Sequence, residues 1–167
     1  EYDYGLSFYE GNTKDPALVL NSGKFVPKYS EITQVGLDLQ ATKGDNLYKS
    51  ELVYRENQYD NNGNIEDYTN LILGIEHSNY GILEKSWDLS NIIEYSYDTR
   101  SSKSHHGYQN DLFLGARLVL NDIEDTQYFV SIQNDLDKNT RALTFNYESR
   151  FFSSLRVGID IYHPLNL

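Results

Sequence analysis

With no cysteine in the chain, any chemistry must come from carboxylates, hydroxyls and four histidines, and neither a thiolate metal site nor a disulfide framework is available. The densest local set is Glu76-His77-Ser78-Asn79, an acid, an imidazole and a hydroxyl in succession. Neighbouring side chains of a strand point to opposite faces, so His77 cannot take the Ser78 proton unless the strand bulges there. His105-His106 would bind a metal only if an acid from another loop joined the two imidazoles. Asp60-Asn61-Asn62-Gly63-Asn64-Ile65-Glu66-Asp67 carries the oxygen donors calcium takes, yet Ile65 stands where an EF-hand calcium loop needs its glycine. A solvated Asx turn is the expected structure. No pair of carboxylates has a spacing that singles out a general acid and base, and Gly-rich phosphate loops are absent. The expectation is no catalytic residue, no metal and no cofactor.

Composition narrows the partners. A formal charge of −11 with only 14 basic residues argues against nucleic acid, which needs a concentrated Lys/Arg surface. The chain is 39% hydrophobic and 14% aromatic, enough for an ordered structure, and Tyr (15) outnumbers Phe (7), a preference that suits boundaries between oil and water. No apolar run reaches the roughly 20 residues of a membrane-spanning helix. The mean hydropathy of −0.60 is uninformative about membrane strands, in which only every second residue faces lipid.

The elements that must position these residues are strands. Val35, Leu37, Leu39 and Ala41 alternate with Gln34, Gly36, Asp38 and Gln40, and a turn at Lys43-Gly44-Asp45-Asn46 leads into Tyr48, Ser50, Leu52 and Tyr54 on one face of the next strand. The same period recurs through Leu71, Leu73 and Ile75; Trp87 to Tyr97; Leu112 to Leu120; and Leu155 to Ile161. Tyr2 to Phe8, Tyr128 to Ile132 and Leu143 to Tyr147 add weaker patterns, for about nine strands, with no convincing helix and no internal repeat.

Several strands run to about ten residues or more, the length tilted membrane strands need, where soluble strands cluster near 5 to 6. Short connections (Lys43 to Asn46, Asn121 to Asp125, Ser149 to Ser153) alternate with long polar ones (Gly11 to Ser30, Gln58 to Asp67, Thr99 to Tyr108), with Ser78 to Ser86 and Gln133 to Thr140 less clear. Residues 1–167 are therefore expected to form a single antiparallel up-and-down transmembrane β-barrel domain, incomplete at one or both ends because about nine strands is an odd count. A second copy or a partner chain completing the barrel is the alternative. The wet face would line a pore through Asp38, Glu51, Arg55, Glu76, Glu94, Asp111, Arg117, Arg156 and Asp160, an acidic excess that favours small cationic or neutral solutes. Tyr48, Tyr54, Trp87, Tyr97 and Tyr108 would form an aromatic girdle at headgroup level.

Asn110-Asp111-Leu112-Phe113-Leu114-Gly115-Ala116-Arg117-Leu118-Val119-Leu120-Asn121-Asp122, then Asp135-Leu136-Asp137, Thr140-Arg141 and Leu155-Arg156-Val157-Gly158-Ile159-Asp160, resemble the C-terminal half of uncharacterised porin-like outer-membrane proteins of proteobacteria. The resemblance covers about residues 87 to 162. It implies a Gram-negative outer-membrane location, contact with the lipid bilayer and lipopolysaccharide, a signal peptide, a longer chain and a final strand ending in an aromatic residue. Here the chain stops at His163-Pro164-Leu165-Asn166-Leu167 instead. The Glu76-His77-Ser78-Asn79 segment resembles the His-x-Ser-Asn segment of outer-membrane phospholipases, which keeps an outer-membrane hydrolase as one competing expectation. The other is a soluble β-sandwich or barrel that binds carbohydrate or lipid on Trp87, Tyr95 and Tyr97.

Overall fold

The computed structural model describes residues 1–104, 108–152 and 154–165. The chain is all-β and antiparallel, built of β1 (Tyr2–Asn12), β2 (Ala17–Asn21), β3 (Lys24–Lys28), β4 (Glu31–Lys43), β5 (Asn46–Tyr59), β6 (Ile65–Ile82), β7 (Trp87–Asp98), β8 (Asn110–Val119), β9 (Gln127–Asp135), β10 (Arg141–Phe151) and β11 (Leu155–Pro164). Nine of them form one meander in the order β1-β4-β5-β6-β7-β8-β9-β10-β11, and β2 with β3 makes a separate hairpin. The nine strands expected from period two are all present. The hairpin was missed, although Ser22-Gly23 between two short apolar runs is a turn signal; both residues have positive φ, 50° and 77°, as a type I′ hairpin turn requires.

The sheet is open. Among the described residues β1 pairs only with β4 and β11 only with β10, so each presents one unpaired backbone edge. Pro164 pairs opposite Ala142 at the very end of β11, an edge position where a missing N–H costs no ladder bond. Strand ends alternate: β4–β5, β6–β7, β8–β9 and β10–β11 join at one rim, here the turn rim, and β1–β4, β5–β6, β7–β8 and β9–β10 at the other, the loop rim. Ser78 to Ser86 resolves at the turn rim because β6 continues to Ile82, and the β9–β10 connection resolves at the loop rim.

Register aligns most of the greasy residues of the nine-stranded sheet on one face, while Val53, Ile72, Ile92, Phe113 and Phe129 lie on the other. Leu6–Leu37–Leu52–Leu71 lie side by side, as do Ser50–Leu73–Tyr95–Leu112 and Ile93–Leu114–Ile132–Leu143. No second layer covers this face among the described residues: Leu73, Leu114 and Ile159 remain 45%, 41% and 48% exposed. A globular protein of 19.3 kDa exposes about 8,500 Å2, whereas this chain exposes 11228 Å2. An open, single-layered sheet leaves that excess uncovered.

What is buried is mostly polar. Among the described residues Gln109, Asp60, Asp98 and Asp111 are the largest fully buried side chains, and the buried apolar residues are only Ala17, Val19, Ile32 and Tyr68. These four sit at the loop rim, where the β2–β3 hairpin lies against the β5–β6 connection. Gly63 there has φ +84°, and a Cβ on it would lie 2.7 Å from Val19 Cγ1. Gly63→Ala is expected to push the hairpin off at a cost of roughly 1–3 kcal/mol, read as faster trypsin cleavage after Lys24 and Lys28.

Candidate functional site

The face opposite the apolar one carries the ionisable residues. Cross-strand pairing puts Asp38 beside Glu51, Arg55 beside Gln34 and Tyr68, Glu94 beside Gly74 and Phe113, and Asp160 beside Asn146. All nine residues expected to line a pore lie on this side, but they differ in surroundings. Glu76 faces Lys49 at 3.9 Å and Arg156 donates to Glu148 at 3.0 Å. Asn146 donates to Asp160. Asp38, Glu51, Glu94 and Arg117 have no ion-pair partner among the described residues. Asp111 is almost fully buried at the edge of a cavity it lines with Tyr108 and Gln133: it faces Asp135 across β8–β9 and accepts from Gln133 Nε2 at 3.0 Å.

Four of the expected girdle residues, Tyr48, Tyr54, Trp87 and Tyr97, project from the apolar face near strand ends, with Tyr48 and Trp87 at the turn rim and Tyr54 and Tyr97 at the loop rim. Tyr108 does not join them. It lines cavities on the polar face with Tyr68, Ser96 and Gln133, the side on which Arg100 of the same connection stacks on Tyr68. Trp87, Tyr95 and Tyr97 share one face, but Tyr95 is tied through its hydroxyl to Asn110 Oδ1 at 2.9 Å.

His77 and Ser78 are not brought together. The His77 ring meets Asn46 Oδ1 at 3.1 Å on the apolar side, whereas Ser78 Oγ meets Ser90 Oγ at 2.9 Å on the other. His105 and His106 lie outside the described residues, and among the described residues no three His, Asp or Glu side chains gather as a metal site.

The loop rim holds the best organised geometry. Arg100 donates Nε to Asp98 Oδ1 at 3.0 Å and Nη2 to Asp98 Oδ2 at 2.7 Å, a bidentate pair that Ser104 Oγ joins at 3.1 Å. The Arg100 guanidinium lies 3.5 Å from the centre of the Tyr68 ring, and Arg55 lies 5.5 Å from the same centre. Arg55 donates Nε to Gln34 Oε1 at 2.8 Å, Nη2 to the same oxygen, and Nη1 to Gln58 Oε1 at 3.0 Å. Gln58 reaches it because β5 bulges: between the pairs Arg55–Tyr68 and Gln58–Glu66, two residues oppose one, with Asn57 at φ 60°. The extra residue returns Gln58 to the polar face. Sequence reasoning missed the bulge and the partners it recruits, and Asn57, a residue tolerant of positive φ, is the only local hint.

The Asx turn at Asp60 is present but buried rather than solvated. Asp60 Oδ1 accepts the amides of Asn62 at 2.9 Å and Asn64 at 2.7 Å, and Asn61 ties the turn to the β7–β8 connection through Ser102 O and Ser104 O. Burial works to raise the Asp60 carboxyl, but the amides of Asn64 and Asn62 outweigh it and hold the group below its ordinary 3.8. Comparison with protein-family profiles, curated proteins and solved structures gives no match.

A depressed folded-state value means the turn is at full strength above the ordinary carboxylate range and weakens as pH falls through the folded value. Asp60→Ala is expected to leave the Asn62 and Asn64 amides unsatisfied at a cost of roughly 1–3 kcal/mol. Hydrogen exchange of those two amides should then quicken about ten- to a hundredfold near neutral pH, and the difference from the unaltered chain should vanish in strong acid.

Proposed function

We propose that this chain is part of a porin-like β-barrel of the Gram-negative outer membrane, passing small cationic or neutral solutes along its polar face. The observation that carries this reading is the inversion of the fold: a continuous apolar face exposed across nine strands, with polar side chains on the sheltered side. Water cannot support so much unpaired apolar area on a monomer, whereas hydrocarbon requires it. Strands of nine to eighteen residues suit a tilted crossing. From Trp87 to Tyr97 the apolar face of β7 rises about 33 Å along the strand, or about 25 Å at a tilt near 40°, the height of a barrel's apolar band. Aromatic residues at both rims with aliphatic ones between them match headgroup and acyl levels.

The two free edges need partners, since an open ladder in hydrocarbon leaves backbone groups unsatisfied. Further strands, from the same polypeptide or from another copy, close the barrel in this proposal. The resemblance to porin-like proteobacterial proteins points the same way, as does the alternation of turn and loop rims. Unpaired Asp38, Glu51 and Glu94 supply the cation preference, because like charges in a confined passage enrich counterions.

Detergent should be required to extract the chain from membranes. In a planar bilayer under a potassium chloride gradient, Glu51→Gln with Glu94→Gln should lower the cation-to-anion permeability ratio by about twofold or more. Recovery in the aqueous fraction without detergent would remove the membrane reading, and an unmoved reversal potential would remove the selectivity.

A further inference from the structure

We infer that Arg55 anchors a binding site for a small monocarboxylate at the loop rim of the polar face. The inference rests on the polar face being accessible to solute, as the channel reading has it, and adds a ligand class that an acidic surface does not suggest. Arg55 is half-buried at the junction of two cavities of about 350 and 420 Å3, both of which it lines together with Gln34. Thr13, Lys14, Asp15, Gln58 and Arg100 border the first, where the Lys14 and Asp15 charges offset each other; Tyr68, Asn70 and the acid Glu94 border the second, so the first is the one that suits an anion. Such volumes are at the small end of ligand pockets.

Charge and burial together mark Arg55: among the described residues Arg117 and Arg141 also lack an ion-pair partner, but both are exposed, whereas Arg55 is half-buried. Arg100 is already neutralised by Asp98 and Arg150 by Asp125. Arg55 has no carboxylate within ion-pair distance among the described residues. Its three described hydrogen bonds all end on the amide oxygens of Gln34 and Gln58, which hold the group without cancelling its charge. A guanidinium offers five N–H donors, so two remain. Sheltered guanidinium groups ordinarily acquire an anion, because a bidentate carboxylate restores what desolvation removes.

The site is also held in advance. The Asp98–Arg100 pair fixes Tyr68 from one side and Tyr68 backs Arg55 from the other, while the β5 bulge sets Gln58. A planar monoanion matches one uncompensated planar cation. A doubly charged phosphate would instead meet the field of a chain with net charge −11.

The test titrates carboxyl-labelled lactate into the purified full chain in detergent micelles and follows NMR line broadening, a readout that needs no membrane passage. Saturable broadening is expected for the unaltered chain. Arg55→Gln should weaken it about tenfold or more, and Arg55→Lys should also weaken it because the fork is lost. Arg150→Gln removes the same charge at the turn rim and should leave it within about twofold. Retained circular dichroism would show that the Arg55 variants fold. No saturation with the unaltered chain, equal weakening by Arg150→Gln, or tighter binding of inorganic phosphate than of lactate would each overturn the assignment. Saturable, Arg55-dependent binding by a chain that fails to conduct would keep the site and overturn the channel; conduction without binding would do the reverse.

Discussion

The apolar face of the nine-stranded sheet is the constraint from which the rest of the molecule follows. Cross-strand register carries leucine, isoleucine, valine and aromatic residues across the face from β1 to β11, broken by few polar residues such as Ser50, His77 and Asn91, and nothing in the described residues lies over them. A globular domain places such residues between two layers and leaves polar groups outside. Here the layer is single, so shelter is available only on the polar side, and the groups sheltered there must satisfy one another.

They do so chiefly at the loop rim. Asp98, Arg100 and Ser104 form one hydrogen-bonded unit; Gln109 donates to Asp135 and Gln133 to Asp111. Asn61, Ser101 and Asn110 join separate connections, reaching Ser102, Ser104 and Asp137. Breaking one partner of such a network leaves the other buried and unpaired, which costs more than the pair itself contributes. The β2–β3 hairpin adds a small apolar cover through Ala17 and Val19, so the rim is closed partly by packing and partly by polar contacts.

The turn rim is built differently. Asp122 accepts the Thr126 amide at 2.7 Å and Arg150 pairs with Asp125, contacts local to one connection and its neighbour strand. Exposed pairs of this kind contribute little on their own. The two rims thus divide the work: one shapes cavities around Arg55, while the other simply reverses the chain between long strands.

The nine strands of the main sheet, their two-faced alternation and the placement of most ionisable side chains on one face were legible in the sequence, because period two is a local property and register preserves it across the sheet; the two short strands of the β2–β3 hairpin were not. Nor were the burial of Asp111 and the position of Tyr108 on the polar side, since both depend on neighbours distant in sequence. Local residues settled which face each side chain takes, and even the Asp60 turn could be read from its Asn and Gly neighbours. Only the tertiary structure decided that the sheet stays open at β1 and β11, that a bulge returns Gln58 to the polar face, and that Arg55 is held by amides with no described carboxylate within ion-pair distance. Each of those depends on where a second strand or loop falls in space, and no repeat along a single strand encodes it.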